Sequence, residues 1–311
     1  MSAPPAAGLG RRLKELIGAP GILVMPGVFD GFSARLVESR GFTAALVSGA
    51  GLSESRLGQP DVGLMGLGEN LDGTRAVAAC TDLLLIADAD TGYGNAVNVH
   101  HAVRAFERAG VAGVMIEDQV WPKRCGHLDG KEVIDAEEMV QKIRAAVDAK
   151  SDPDFVIKAR TDAAGPLGIE EAIRRAKLYA EAGADLVFAD ALTSEADIEH
   201  FCRAVPAPAC VNMGFGIRTR KSTPLLSAQR LEELGAAVVI VPRLLSASAV
   251  RGMNNALDVF QESLRTGVAA DRPDLSLDFE ELYRLMGFGD VQELEQRFLT
   301  EADLKRKYSR S

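Results

Sequence analysis

From residue 21 to about 265, short apolar runs alternate with stretches whose apolar residues recur at helical spacing. The runs read GILVMPGVF from 21, TAALVSG from 43, DLLLIADAD from 82 and AGVMIED from 112. The series continues with FVIKARTD from 155, DLVFADA from 185, APACVNM from 207 and AAVVIVP from 236. Each run is nearly continuous in apolar character, the pattern of parallel strands covered on both faces. About eight such strand-helix units predict a closed (β/α)8 barrel of the TIM type, with a doubly wound open sheet as the runner-up. Several helices close with a glycine just before the next run, in ERAGVAGV from 107, AEAGADLV from 180 and EELGAAVV from 232. Glycine there supplies the left-handed cap that turns the chain back toward the sheet. Residues 267–311 hold Pro273 and three short helical patterns without a strand signal, which predicts a helical C-terminal extension to a catalytic barrel domain of residues 1–266.

The remaining composition narrows the class. At 311 residues and 47% hydrophobic content the chain can bury a full-sized core, and α/β barrels of this size fold as one domain. The net charge of −9 argues against a general nucleic-acid or membrane-surface footprint, which needs clustered Lys and Arg. No stretch approaches the ~20 apolar residues that span a bilayer, and the start Met1-Ser2-Ala3-Pro4-Pro5 has no basic-then-apolar leader pattern. A cytoplasmic protein is expected. The four cysteines, Cys80, Cys125, Cys202 and Cys210, have no paired spacing, so each is expected as a reduced thiol and not as part of a disulfide framework or zinc site.

In a (β/α)8 barrel the site lies at the carboxyl ends of the strands, and polar residues collect there. Ser48 ends the second run, Asp88 and Asp90 the third, Glu117 and Asp118 the fourth, Arg160 and Asp162 the fifth, Asp190 the sixth and Asn212 the seventh. Any one of them alone is as well explained by capping the following helix; the whole group is not. Asp88 and Asp90, two apart, point the same way and suit a hard cation with oxygen ligands, Mg²⁺ or Mn²⁺, with Glu117 positioned to orient a bound water. The loop Trp121-Pro122-Lys123-Arg124-Cys125-Gly126-His127 sets a thiol among basic residues, an arrangement that favours a usable proton donor or nucleophile. Gly126 gives that loop freedom to close. Cys80, Cys202 and Cys210 lie in apolar surroundings and read as core; His100, His101 and His200 sit in predicted helices and read as structural.

The ordered motifs PGVFDGFSARL from 26, VSGAG from 47, QPDVG from 59, DADTGYGN from 88, IEDQVWPKRCGH from 116 and KARTDA from 158 resemble the isocitrate lyase and phosphoenolpyruvate mutase superfamily over about residues 20–265. By motif the chain is most similar to the 2-methylisocitrate lyases and the related dimethylmalate lyases and oxaloacetate hydrolases. Within that superfamily a K-[KR]-C-G-H loop marks the enzymes that cleave a carbon-carbon bond, and Lys123-Arg124-Cys125-Gly126-His127 matches it.

The resemblance implies a set of roles. Asp90 would hold Mg²⁺ directly or through water, with Asp61, Asp88 and Glu117 in or just outside its shell. Ser48, the amides of Gly49 and Ala50, and Arg160 would grip the carboxylate of the keto-acid end. Cys125 would protonate the other product, with His127 and Asn212 binding its carboxylate; Lys123, Glu117, Arg160 and His127 would join Cys125 as catalytic residues, Gly126 and Asp190 would help bind the substrate, and closure of residues 121–130 would exclude water. The resemblance further implies a homotetramer built as a dimer of dimers, with the helix after the last strand exchanged between subunits.

Two departures from the family pattern stand out. Asp190 occupies a place where lyases carry Glu, and the segment from Asn212 to Pro224 has no acidic residue and carries Arg218, Arg220 and Lys221. A phosphonate mutase and an oxaloacetate hydrolase or decarboxylase are the rival enzyme readings. A non-enzymatic scaffold is the rival class, disfavoured because carboxylates grouped at strand ends cost stability unless a ligand compensates.

Overall fold

The eight strands predicted from the apolar runs form in order: β1 (Leu23–Val28), β2 (Ala44–Val47), β3 (Leu84–Asp88), β4 (Gly113–Glu117), β5 (Val156–Thr161), β6 (Leu186–Ala189), β7 (Ala209–Asn212) and β8 (Val238–Val241). In the computed structural model, which describes residues 8–126, 128, 130–214 and 223–308, they pair in parallel and in sequence order. β1 also pairs with β8, so the barrel is closed and the doubly wound alternative falls.

Side chains alternate across the strands. Met25, Leu46, Ile86, Met115, Phe188 and Ile240 fill the barrel interior, whereas Val47, Ala87, Val114, Ile157, Val187 and Val239 belong to the larger apolar layer under the helices. Both faces are dry, which is why the runs do not alternate in polarity.

Helix α1 (Leu9–Ile17), which the periodicity did not foretell, sends Leu13 and Ile17 into the interior cluster. Gly10 is needed there, because an added Cβ would stand 2.3 Å from the Asp154 carbonyl oxygen. The outer helices follow as α2 (Gly31–Ser39), α3 (Gly49–Leu52), α4 (Leu67–Ala78), α5 (Ala96–Arg108), α6 (Ala136–Ala149), α7 (Ala164–Leu167), α8 (Ile169–Glu181), α9 (Glu195–Ala204) and α10 (Ala228–Glu233). Asp30 caps α2 by accepting from Ser33 N at 2.8 Å, and Asn95 caps α5 by accepting from Val97 N at 3.0 Å. The glycines expected to end helices, Gly110, Gly183 and Gly235, have φ of 91°, 106° and 98°, a region that side chains with a Cβ avoid.

The chain divides into two compact units, Met1–Ser248 and Ala249–Ser311. Helix α11 (Leu244–Thr266) runs through the boundary, and α12 (Phe279–Leu285), α13 (Phe288–Phe298) and α14 (Glu301–Tyr308) make up the rest of the second unit. Within that unit Tyr283 stacks on Phe279 at 4.1 Å between ring centroids and meets Phe288 edge-on at 5.4 Å. No helix among the described residues is long and apolar enough to cross a membrane.

Candidate active site

The carboxyl ends of the strands carry the predicted polar residues, and the structure sorts them into three connected groups and one that faces elsewhere. The first group centres on Lys123. Its ammonium is buried, 2.9 Å from Asp90 Oδ1 and in a very close ion pair with Asp61. Asp90 follows β3 with a φ of 48°, a strained value for a residue with a Cβ. Its backbone N–H donates to Asp88 Oδ1 at 3.1 Å, and Asn70 Nδ2 donates to the Asp88 carbonyl at 2.8 Å. Gly49 is required at the start of α3, since a Cβ there would lie 2.9 Å from Asp88 Oδ2.

These charges set one another. Burial pushes the Asp90 carboxyl up to about 6 against the pull of Lys123, with Asp88 and Asp61 adding to the rise. Burial also drives Glu117 well above the usual carboxylate range, offset only in part by Arg160 and Lys123. Burial opposes charge on Lys123, but Asp90, Glu117, Asp61 and Asp88 overcome it and hold its ammonium well above the ordinary lysine value.

The second group is built on Arg160. Its Nε and Nη2 donate to Asp162 Oδ2 at 2.7 Å and Oδ1 at 2.9 Å, a bidentate pair, and Nη2 also reaches Asp190 Oδ2 at 3.1 Å. None of these bonds uses Nη1. Glu117 Oε2 lies 3.2 Å from Arg160 Nε. Asn212 Nδ2 donates to Asp190 Oδ1 at 3.1 Å, and its own Oδ1 is buried without a partner among the described residues. Arg160 and Lys131 overcome burial and hold Asp162 below its ordinary value.

The loop after β4 ties both groups together. Gln119 Nε2 donates to Glu117 Oε1 at 3.0 Å and to the Arg124 carbonyl at 2.9 Å, and Arg124 N–H returns a bond to Gln119 Oε1 at 3.0 Å. At the far side of the loop Lys131 Nζ pairs with Asp162 Oδ1 at 2.8 Å. Gly126 sits directly on the second group: a Cβ there would fall 1.6 Å from Asp190 Oδ2 and 2.7 Å from Arg160 Nη2.

The third group holds the predicted thiol. Sequence proximity suggested Lys123 and Arg124 as its cations, but Lys123 points its ammonium at Asp61 and Asp90. The guanidinium at the sulfur is that of Arg243, whose Nη2 lies 3.6 Å from Cys125 Sγ while Nη1 pairs closely with Glu54. Sequence reasoning missed Arg243, although the rule that found the others, polarity at a strand's carboxyl end, extends to it just past β8. Ser48 accepts from Gly51 N at 3.1 Å and so caps α3, the capping function weighed for strand-end residues. His127, Arg218, Arg220 and Lys221 lie outside the described residues.

Asp118 faces away from the barrel interior. It accepts from Thr161 Oγ1 at 2.7 Å, Asp162 N at 2.8 Å, Tyr179 Oη at 2.7 Å and Arg175 Nη1 at 3.1 Å. Consecutive residues of a strand point to opposite faces, so Glu117 belongs to the site and Asp118 to the scaffold that holds it.

Two buried oxygens bear on metal binding. Asp90 Oδ1 and Glu117 Oε2 have cations in ion-pair range but no aligned hydrogen bond. Among the described residues no three His, Cys, Asp or Glu side chains gather closely enough to ligate one ion directly. This all-oxygen set fits a hard cation that binds through one or two carboxylates and keeps several waters, the habit of Mg²⁺.

The comparisons with known proteins agree with this architecture. Residues 13–260 match the phosphoenolpyruvate phosphomutase family. A 2,3-dimethylmalate lyase of Eubacterium barkeri is 40% identical over 93% of this chain and 98% of its own. A probable 2-methylisocitrate lyase of Corynebacterium glutamicum is 43% identical over 93% and 92% respectively. The structure of an oxaloacetate acetylhydrolase bound to 3,3-difluorooxalacetate superposes with a TM-score of 0.85 at 34% identity, covering 94% of this chain and 98% of that one. By its barrel, its strand-end carboxylates and these matches, the chain belongs to the phosphoenolpyruvate phosphomutase family, within the PEP mutase/isocitrate lyase superfamily.

Proposed function

We propose that this protein is a Mg²⁺-dependent carbon-carbon lyase. Its substrate is a 2-hydroxy di- or tricarboxylate of the 2-methylisocitrate or 2,3-dimethylmalate kind, and its products are a 2-keto acid such as pyruvate or glyoxylate and a carboxylic acid such as succinate. The observation that carries this reading is the half-buried Cys125 thiol on a loop bonded to Glu117 and seated against Arg160 and Asp190. In this reading the thiol would be the proton donor, on the face opposite the metal, as the family resemblance implies.

Asp90, with Asp61, Asp88 and Glu117 around it, would hold the ion, Mg²⁺ with Mn²⁺ as a substitute. When bound, the metal makes the substrate hydroxyl more acidic and neutralises charge on the keto-acid end. Arg160, fixed by Asp162, presents Nη1 to a substrate carboxylate, and the amides of Gly49 and Ala50 at the α3 N-terminus offer further donors. The hydroxyl proton would pass to the Glu117 carboxylate, the carbon-carbon bond breaks as the keto group forms, and its electron pair stays on the carbon next to the second carboxylate. The Cys125 S–H proton passes to that carbon, while Asn212, through its Nδ2 donor, and His127 would bind the carboxylate of that product. The closed loop keeps water from competing for the proton.

A second reading, action on oxaloacetate, draws on the likeness to the acetylhydrolase bound to a fluorinated oxaloacetate. Phosphonate mutase activity is disfavoured by Cys125. The readings separate in one assay: purified protein and Mg²⁺ with 2-methylisocitrate, isocitrate, 2,3-dimethylmalate or oxaloacetate, products followed by proton NMR with and without EDTA. Metal-dependent release of a 2-keto acid plus a carboxylic acid supports the lyase; oxaloacetate turnover alone, or silence on all four, defeats it.

The same proposal takes residues 1–266 as the catalytic domain and 267–311 as a helical extension. Helix α11 leaves Met253, Leu257, Phe260 and Leu264 exposed in the single chain; a homotetramer that exchanges this helix would cover them. A free thiol at the site suits the reducing cytoplasm.

A further inference from the structure

Arg243 is the one cation at the Cys125 sulfur among the described residues, and neither strand periodicity nor the cysteine loop motif called for it. It follows Pro242 at the carboxyl end of β8, and that backbone is held hard against β1: a Cβ on Gly27 would stand 2.3 Å from the Pro242 carbonyl oxygen. The guanidinium is four-fifths buried, with side-chain exposure of 20%. One of its nitrogens meets Cys125 Sγ at 3.6 Å and another pairs with Glu54, on the π-helical turn Ser53–Leu57 that follows α3. A side chain anchored from both ends in this way has little freedom to leave the sulfur. The loop's own cations do not substitute for it: Lys123 is committed to Asp61 and Asp90, and Arg124 extends toward Gly130, its Nη1 3.7 Å from where a Cβ there would stand.

We propose that Arg243 is a positioning residue for proton delivery, which holds the Cys125 side chain in place and stabilises the thiolate that remains after the proton has left. In the step, the S–H bond breaks and its electron pair stays on sulfur. The electron pair on the product carbon forms the new C–H bond, and Arg243 keeps its own protons throughout. Charge at sulfur is then matched by a fixed cation, the condition under which a charge-assisted hydrogen bond contributes most. Water restores the thiol once the loop opens.

The catalytic meaning of this pair rests on the lyase reading, but the pair itself is testable without any substrate. The test is the rate at which iodoacetamide alkylates Cys125 at neutral pH, read by peptide mass spectrometry. Because the thiolate is the reactive form, Arg243→Gln should slow alkylation by about 10- to 100-fold, the equivalent of one hydrogen bond to a charged group. Arg243→Lys should recover part of the rate. Glu54→Gln, which keeps the guanidinium and leaves an amide oxygen to anchor its far nitrogen, should alkylate close to the wild-type rate.

Alkylation of Arg243→Gln at the wild-type rate overturns the proposal. So does a slowdown of the same size in Glu54→Gln, which would assign the effect to disturbed packing. If Arg243→Gln shows the alkylation defect while the wild-type protein releases no keto acid from any substrate, the lyase reading fails and the pair stands. If turnover is normal in both and alkylation is unchanged, the pair fails alone.

Discussion

Gly126 is where the geometry makes its hardest demand. Its φ lies outside the left-handed region, so alanine is tolerated by the backbone and the effect of Gly126→Ala is purely spatial. The added Cβ would fall 1.6 Å from Asp190 Oδ2, and ordinary contact begins at 3.4 Å. Asp190 cannot swing aside cheaply, because Arg160 Nη2 and Asn212 Nδ2 hold its two oxygens at 3.1 Å each. The loop must therefore retreat by roughly 1.8 Å, and Cys125 retreats with it. A misplacement of about 1 Å at a reacting group can cost on the order of 100-fold, so kcat/KM for the substrate identified by NMR should fall by about that factor. Stability should fall by about 1–3 kcal/mol as well, because Gly126 is buried and the added methyl overpacks its site. The chain's single tryptophan, Trp121, lies on the same loop with its ring 6.3 Å from Tyr93, so its fluorescence reports the displacement directly. Wild-type kcat/KM together with wild-type Trp121 emission in Gly126→Ala would refute the argument that the loop closes against Asp190.

Three further outcomes follow from the same contacts. Asp90 takes up its proton near 6 when folded but near 3.8 when unfolded, so the folded state binds more protons between those values and stability falls as pH rises through them; the group costs about 3 kcal/mol above pH 6. Urea unfolding in EDTA should thus show the metal-free protein gaining stability from pH 7 to pH 5, and a loss over that interval would count against the Asp90 environment. Asp118→Ala strips a buried partner from Arg175 and bonds from Thr161 and Tyr179, and should cost about 3–5 kcal/mol in urea unfolding; a loss below about 1 kcal/mol would mean that Asp118 is not the buried anchor described. Lys158 is fully buried, with its amine 4.7 Å above the Phe188 ring, beside the Cys210 thiol and without an aligned oxygen or nitrogen partner among the described residues, so Lys158→Met should be neutral or stabilising by up to about 3 kcal/mol, checked by the same titration, and marked destabilisation would show that the ring and thiol contacts hold the amine well.

By itself the sequence determined what local physics can encode. Eight apolar runs, each covered on both faces, required parallel strands, and glycines such as Gly110 and Gly183 marked where helices must turn back. Polar residues at the strand ends pointed to one end of the barrel, because burying such groups elsewhere in an apolar core is costly. What the tertiary structure decided is which of them meet. Glu117 and Asp118 are neighbours in sequence, yet the two-residue period of a strand sends one into the site and the other into the bonds that brace α8. Lys123 is two residues from Cys125, but it folds toward Asp61 and Asp90, and the cation at the sulfur comes from Arg243, 118 positions along the chain. Closing the barrel brings β8 beside β1, and the loops that follow β2, β4 and β8 then meet over its mouth. Contacts of this kind depend on ring closure and side-chain direction, which no periodicity along one chain records.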